Sequence, residues 1–200
     1  MPAKLKARAA RKSAKRDEKK RQIADSAIKA LQELGYANTS LRDIAAKSDM
    51  SLGMLHYYFE DRTDLIIYCV QVYKRDFVRN IIDALEKADG RASVIDAFSG
   101  ALATSIAQDA MTHRLWYDIR NQAMFDETFR PVVIEIETML ISLVERAFLR
   151  AGHAVPPTVE MQYALLDGAF RYLLQNQLSA SRRSVDALKE VFKSLLGGFL

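Results

Sequence analysis

The chain has little of what punctuates or cross-links a fold: four prolines, eight glycines and one cysteine in 200 residues. Cys69 has no second cysteine with which to form an internal disulfide, which fits a reducing cytosol and the expectation of a cytoplasmic protein. No apolar run approaches the roughly 18 residues of a membrane span, and the N-terminus lacks the apolar core of a secretory signal. Sustained two-residue alternation is missing too, which argues against strands. The sequence holds no glycine-rich phosphate loop, paired metal-ligand spacing or nucleophile elbow, and His56, His113 and His153 are scattered. These absences argue against an enzyme and imply neither metal nor cofactor. An all-helical chain long enough to bury a real core is what remains.

Charge is unevenly spread. Of 29 Lys and Arg, ten lie before Gln22 against only Asp17 and Glu18, a local balance of +8. The rest of the chain then carries −4, from 19 basic and 23 acidic residues, so the overall +4 belongs to an N-terminal arm. Such an arm reads either as a nucleic-acid contact or as a solvated, partly helical tail.

Helical periodicity begins near Asp17, where Ile23, Ala24, Ala27, Ile28, Leu31 and Leu34 share one face until Gly35 supplies a left-handed stop. Ser40 with Asp43 forms a capping-box pattern and opens a helix carrying Ile44 and Ala45; Ser51 opens the next, to about Tyr58. Asp61 with Asp64 repeats the pattern ahead of a long helix through Leu65, Ile66, Cys69, Val70, Tyr73, Phe77, Ile81 and Leu85. Cys69, mid-helix among apolar residues, reads as a buried inert thiol. After a break at 89–91, further helices are expected near 92–109, 112–124, 130–150, 158–177 and 185–196, with a loop at 152–157 and Pro131 suited to a first turn. The expectation is an all-α chain of about nine helices: a basic arm over 1–16, a three-helix DNA-binding domain over 17–62, and a larger helical domain over 63–200.

The two short helices and the start of the third have the layout of a helix-turn-helix. Gly35-Tyr36-x-x-Thr39-Ser40-x-x-x-Ile44-Ala45, then Ser51-x-Gly53-x-Leu55-x-x-Tyr58-Phe59 and Arg62-x-x-Leu65, resembles the TetR family of transcriptional regulators over about a quarter of the chain. The resemblance implies double-stranded DNA as partner. Ser40 and Ser51 cap helices that face phosphates, and Arg42 sits where some family members read a base; its other reading is a surface salt bridge with Asp43 or Glu33. Gly53 lets backbone approach the groove, Leu52 and Met54 can pack on thymine methyls, and Tyr57, Tyr58 and Arg62 suit phosphate contacts. Leu55 and Phe59 belong to the core. His56 stands where tyrosine is commonest in the family, and Asp49 where a turn glycine is usual; Asp tolerates the left-handed conformation.

For the remainder, the resemblance implies a domain that binds a small-molecule effector and forms a homodimer through the last two helices. Tyr163, Leu166, Phe170, Leu173 and Leu174, with Val185, Leu188, Phe192 and Leu195, supply the apolar faces, shared between dimer contact and intrachain core. Candidate effector residues are His113, Trp116, Tyr117, Arg120, Met124 and Phe125, joined by Tyr73, Phe77, Phe98, Glu135, Met139 and Tyr163. A partly apolar ligand with an anionic group for Arg120 fits this set. The expected function is a ligand-released repressor on a palindromic operator, the alternative an architectural or global DNA-binding regulator without an inducer.

Overall fold

The computed structural model describes residues 2–36, 38–180 and 182–200, with side chains from residue 10 onward, so Lys4, Lys6 and Arg8 of the arm lie outside the described side chains. Among the described residues there are eight α-helices, one 3-10 turn and no strand: α1 Pro2–Leu34, α2 Leu41–Lys47, α3 Leu52–Tyr58, α4 Arg62–Glu86, α5 Gly90–Gln122, the 3-10 turn Glu127–Phe129, α6 Arg130–Arg150, α7 Val159–Gln177 and α8 Val185–Gly197. No helix is long and apolar enough to cross a membrane.

The stretch over 2–16 is continuous with the helix expected from Asp17, because nothing between Pro2 and Leu34 is a helix breaker. Proline at the first position costs no helical hydrogen bond, and Gly35 at φ +81° ends the helix. The break expected between 109 and 112 is a kink rather than an end. Asp109 leaves helical geometry (φ −117°, ψ 22°) inside α5, while Ser105 Oγ lies 2.5 Å from His113 Nε2 and ties the two halves together. Gly90, at φ +75°, opens α5, and Gly152, at φ +83°, makes the turn that follows α6.

The chain divides into two compact units, residues 1–72 and 73–200, with α4 contributing to both. In the first, Ile23, Ala24, Ala27 and Ala30 of α1 pack on Ile44 and Ala45 of α2, Leu55 of α3, and Phe59, Leu65 and Cys69. The second is built on α5, which packs chiefly against α8 and α7. Its core includes Phe77, Ile81, Phe98, Leu102, Trp116, Ile136, Leu140, Phe170 and Phe192.

Candidate functional site

In the first unit, caps and internal ties fix two very short helices that seven residues of propensity could not hold. Ser40 is the N-cap of α2: its Oγ accepts from Asp43 N–H at 3.3 Å while Ser40 N–H donates to Asp43 Oδ2 at 2.8 Å, a complete capping box. The Ser40 hydroxyl and N–H hold the Asp43 carboxyl below its usual pKa. Ser51 caps α3 through Met54 N–H at 3.2 Å. Asp49 occupies the left-handed region at φ 51° in the turn between them. Asp64 N–H donates to Asp61 Oδ1, and Glu60 N–H to Asp64 Oδ2, so the third capping pattern closes one residue earlier than the box at Ser40.

Burial divides α3 cleanly. Leu55 is buried, as is Phe59 just beyond the helix; Gly53, Met54, His56 and Tyr57 are exposed, and Leu52 and Tyr58 are half-buried. At about 100° per residue, Gly53 sits near the middle of the exposed arc and Leu55 on the opposite side. A methyl group at Gly53 would meet nothing within 4 Å, so the fold itself does not require glycine there. Tyr57 and Tyr58 meet edge to face at 5.0 Å. On α2, Arg42 is exposed, while Lys47 pairs with Glu33, the acid considered for Arg42.

Arg62 has a different position from the phosphate contact expected of it. Its Nε donates to the Thr39 carbonyl at 2.6 Å, an NH2 donates to the Tyr36 carbonyl, and the guanidinium stacks 4.5 Å from the Tyr36 ring centroid. Thr39 in turn donates to the Gly35 carbonyl at 2.7 Å. The turn after α1 has no regular partners for these carbonyls, and Arg62 is the group that satisfies them.

The second unit holds a cavity of about 40 Å³ lined by Lys74, Phe77, Ile81, Phe98, Leu102, Tyr117, Leu140, Leu143, Val144, Tyr163, Leu166, Asp167 and Phe170. Phe77, Phe98, Tyr117 and Tyr163 are legible in the sequence as candidates; Lys74 and Asp167 are not among those it suggests. The signal for Lys74 is its spacing, for 70, 74, 77 and 81 form one stripe of α4 and only position 74 is charged. Tyr117 Oη donates to Asp167 Oδ1 at 2.9 Å, and Arg120 bridges Asp167 at 2.5 Å and Glu137 at 2.7 Å. Arg120, expected to meet a ligand anion, is thus already paired with two carboxylates. Burial, with the Asp167 carboxylate second, pushes the Tyr117 hydroxyl up and keeps it a donor.

His113 is fully buried, with Nδ1 2.5 Å from Tyr73 Oη and Nε2 2.5 Å from Ser105 Oγ. Burial, then the nearby Lys74, holds its pKa well below the usual value, so the ring is neutral and spent on packing. Neither His113 nor Tyr73 lines the cavity; Trp116 lies beneath Lys74, Met139 lines a separate groove and Glu135 pairs with Arg75. Met124 and Phe125 are exposed in the turn after α5, 65% and 84% respectively.

Residues 23–69 match the family model of bacterial regulatory proteins, tetR family. Over 181 residues the sequence is 23% identical to the HTH-type transcriptional regulator PksA of Bacillus subtilis, covering 88% of this chain and 86% of PksA. Residues 23–69 thus carry a TetR-type helix-turn-helix.

Solved structures extend the likeness in fold across both units of the chain. The fatty acid degradation regulator FadR from Bacillus halodurans aligns with TM-score 0.75 at 19% identity, over 90% of this chain and 96% of that one. Multidrug binding protein EbrR complexed with imidazole aligns with TM-score 0.66 at 24% identity, over 88% and 93%. The residues expected to share dimer contact and intrachain core turn inward: Tyr163, Leu166, Phe170, Leu173, Leu174, Leu188 and Phe192 are buried within the single chain, Leu195 is half-buried, and Val185 is 39% exposed. A different face of α7 is left uncovered. Met161, Leu165 and Tyr172 are each about 60% exposed and, with Gly168, fall at intervals of four, three and four.

Proposed function

We propose that this regulator is a ligand-responsive repressor that binds a palindromic operator as a homodimer and is released by a small molecule. The observation that carries the reading is a cavity, lined by aromatic rings and one buried cation, in the helical unit of a chain that also bears a TetR-type helix-turn-helix. The similarly folded EbrR was solved as a multidrug binding protein with imidazole, which supports a small-molecule role for such a cavity.

On the DNA side, Arg42, Leu52, Gly53, Met54, His56 and Tyr57 form the contact surface, with Tyr58 at its edge. Leu52 and Met54 read methyl groups and Arg42 a guanine edge, worth roughly 1–3 kcal/mol of discrimination. Ser40, Ser51 and Arg62 serve this surface by fixing α2, α3 and the turn before them. The α7 stripe of Met161, Leu165, Gly168 and Tyr172 forms the dimer contact; Gly168 has open space where a side chain would be, which suits a close helix from a second copy. Two recognition helices then meet half-sites about 34 Å apart. The basic stretch of α1 adds phosphate contacts.

The test is selection of bound fragments from the source genome with the full-length protein, followed by salt titration on the selected site. A palindrome is expected, and deletion of residues 1–16 is expected to weaken binding and flatten the salt slope by about 0.9 for each phosphate the arm neutralises. Binding to duplexes without sequence preference, or at many unrelated sites with no compound that releases them, would replace this reading with an architectural one.

A further inference from the structure

Three of the four charged groups around the cavity satisfy one another, and the fourth does not join them. Asp167 accepts from Tyr117 and Arg120, and Arg120 reaches Glu137 with its other terminal nitrogen. Lys74, on α4, is 2% exposed, and among the described residues no carboxylate forms an ion pair with it. Its Nζ instead lies 4.8 Å from the Phe77 ring centroid, 5.1 Å from Trp116 and 5.5 Å from Tyr73. Tyr163 lines the same cavity, and among the described residues its buried hydroxyl has no hydrogen-bond partner.

Ring faces compensate an ammonium only in part, because their attraction is smaller than the desolvation cost of burying an ion. The burial pushes Lys74 down to about 7, with Asp167 opposing and Arg120 reinforcing the shift. A fold selected for packing alone would place Met or Leu at 74, matching Val70, Phe77 and Ile81 on the stripe. A cation and an unpaired hydroxyl retained together in an apolar cavity mark a place where a partner comes from outside.

We propose that the cavity takes an apolar small molecule bearing one carboxylate, which pairs with Lys74 and accepts from the Tyr163 hydroxyl while Phe77, Phe98, Leu102 and Leu140 hold its hydrocarbon part. This rests on the ligand-sensing reading above and gives that ligand a charge. The four protein charges sum to zero, so the preference is local: Lys74 offers direct contact, while Asp167 is already covered by Arg120 and Tyr117. About 40 Å³ of free space is too little for such a molecule, so entry displaces side chains of α4 and its neighbours.

The test compares butyrate, octanoate, dodecanoate, benzoate, cinnamate and 4-phenylbutyrate with their primary amides, titrated into the full-length protein at pH 6.5 with thermal unfolding as readout. At least one acid is expected to stabilise the wild type, its amide binding tenfold or more weakly. Lys74→Met is expected to cost that acid roughly 10- to 100-fold in affinity and the amide little, since an ionic hydrogen bond is worth about 1.5–3 kcal/mol. Equal stabilisation by acids and amides, or a Lys74→Met protein that keeps the acid preference, would overturn the charge assignment and leave ligand sensing standing. No shift by any acid also overturns it, while release of DNA by a compound of other chemistry would still support sensing.

Discussion

Lys74 is a buried cation and Arg62 a half-buried one, and they are compensated by different means, so their substitutions should act in opposite directions. Arg62 finds two carbonyls and a ring face, so it gains what burial takes away. Arg62→Ala is expected to destabilise the DNA-binding unit by about 2–3 kcal/mol in urea unfolding, by orphaning the Tyr36 and Thr39 carbonyls. Tyr57→Phe, at an exposed position, is expected to change stability by less than about 0.5 kcal/mol while weakening DNA binding. Lys74 finds only ring faces, and its folded pKa of about 7 lies below the ordinary 10.5. Between those values the unfolded chain holds the extra proton, so the wild type gains stability as pH rises through that window. Below about 7 both states are charged and the burial cost is complete. Lys74→Met is therefore expected to be more stable than wild type by about 1–4 kcal/mol at pH 6, the gap closing toward pH 10. His113, Arg120, Tyr117, Tyr163, Asp167 and Glu137 are common to both proteins, though His113 loses a neighbouring cation in the variant.

At the scale of elements, α2 and α3 show how caps and packing substitute for length. Each has seven residues, too few to persist alone, and each is held by a serine cap and by Ile44, Ala45 or Leu55 in the core. The exposed face of α3 carries, in its first turn, a glycine that neither φ nor crowding demands. Gly53→Ala is expected to stabilise the protein by about 0.5–1 kcal/mol through helix propensity, yet to reduce operator affinity by filling the groove approach. Unfolding and DNA titration on the same variant check both; unchanged affinity would remove Gly53 from the contact surface. Patterning makes these elements legible, because caps, the Gly35 stop and the Ile44, Leu55 and Phe59 positions are all written in local spacing. The kink at Asp109 is legible only as a weak break, since its closure depends on Ser105 and His113 being neighbours in space.

For the whole molecule, apolar surface decides what remains to be covered. Tyr163, Leu166, Phe170 and Phe192 are spent inside the subunit, which leaves Met161, Leu165 and Tyr172 as a stripe facing water. On the proposed dimer contact, Leu165→Glu is expected to yield monomer in analytical ultracentrifugation where the wild type sediments as a dimer, without loss of helicity, and to weaken operator binding because half-sites are then bound singly. A dimer that survives the change would place the interface elsewhere.

By itself the sequence determined an all-helical chain, the helix-turn-helix with its caps, the basic N-terminal stretch and a pool of aromatic residues for the second unit. These rest on interactions three or four residues apart, which a linear pattern records directly. Only the tertiary structure decided which cation at the cavity forms no ion pair among the described residues. Arg120 was the chemically obvious partner for a ligand anion, but Asp167 and Glu137 arrive from other helices and occupy it. Lys74 was one polar residue on an apolar stripe until Trp116 closed beneath it and the cavity opened beside it. The same holds for α7, whose apolar residues encircle the helix; packing against its neighbours chose which side to bury.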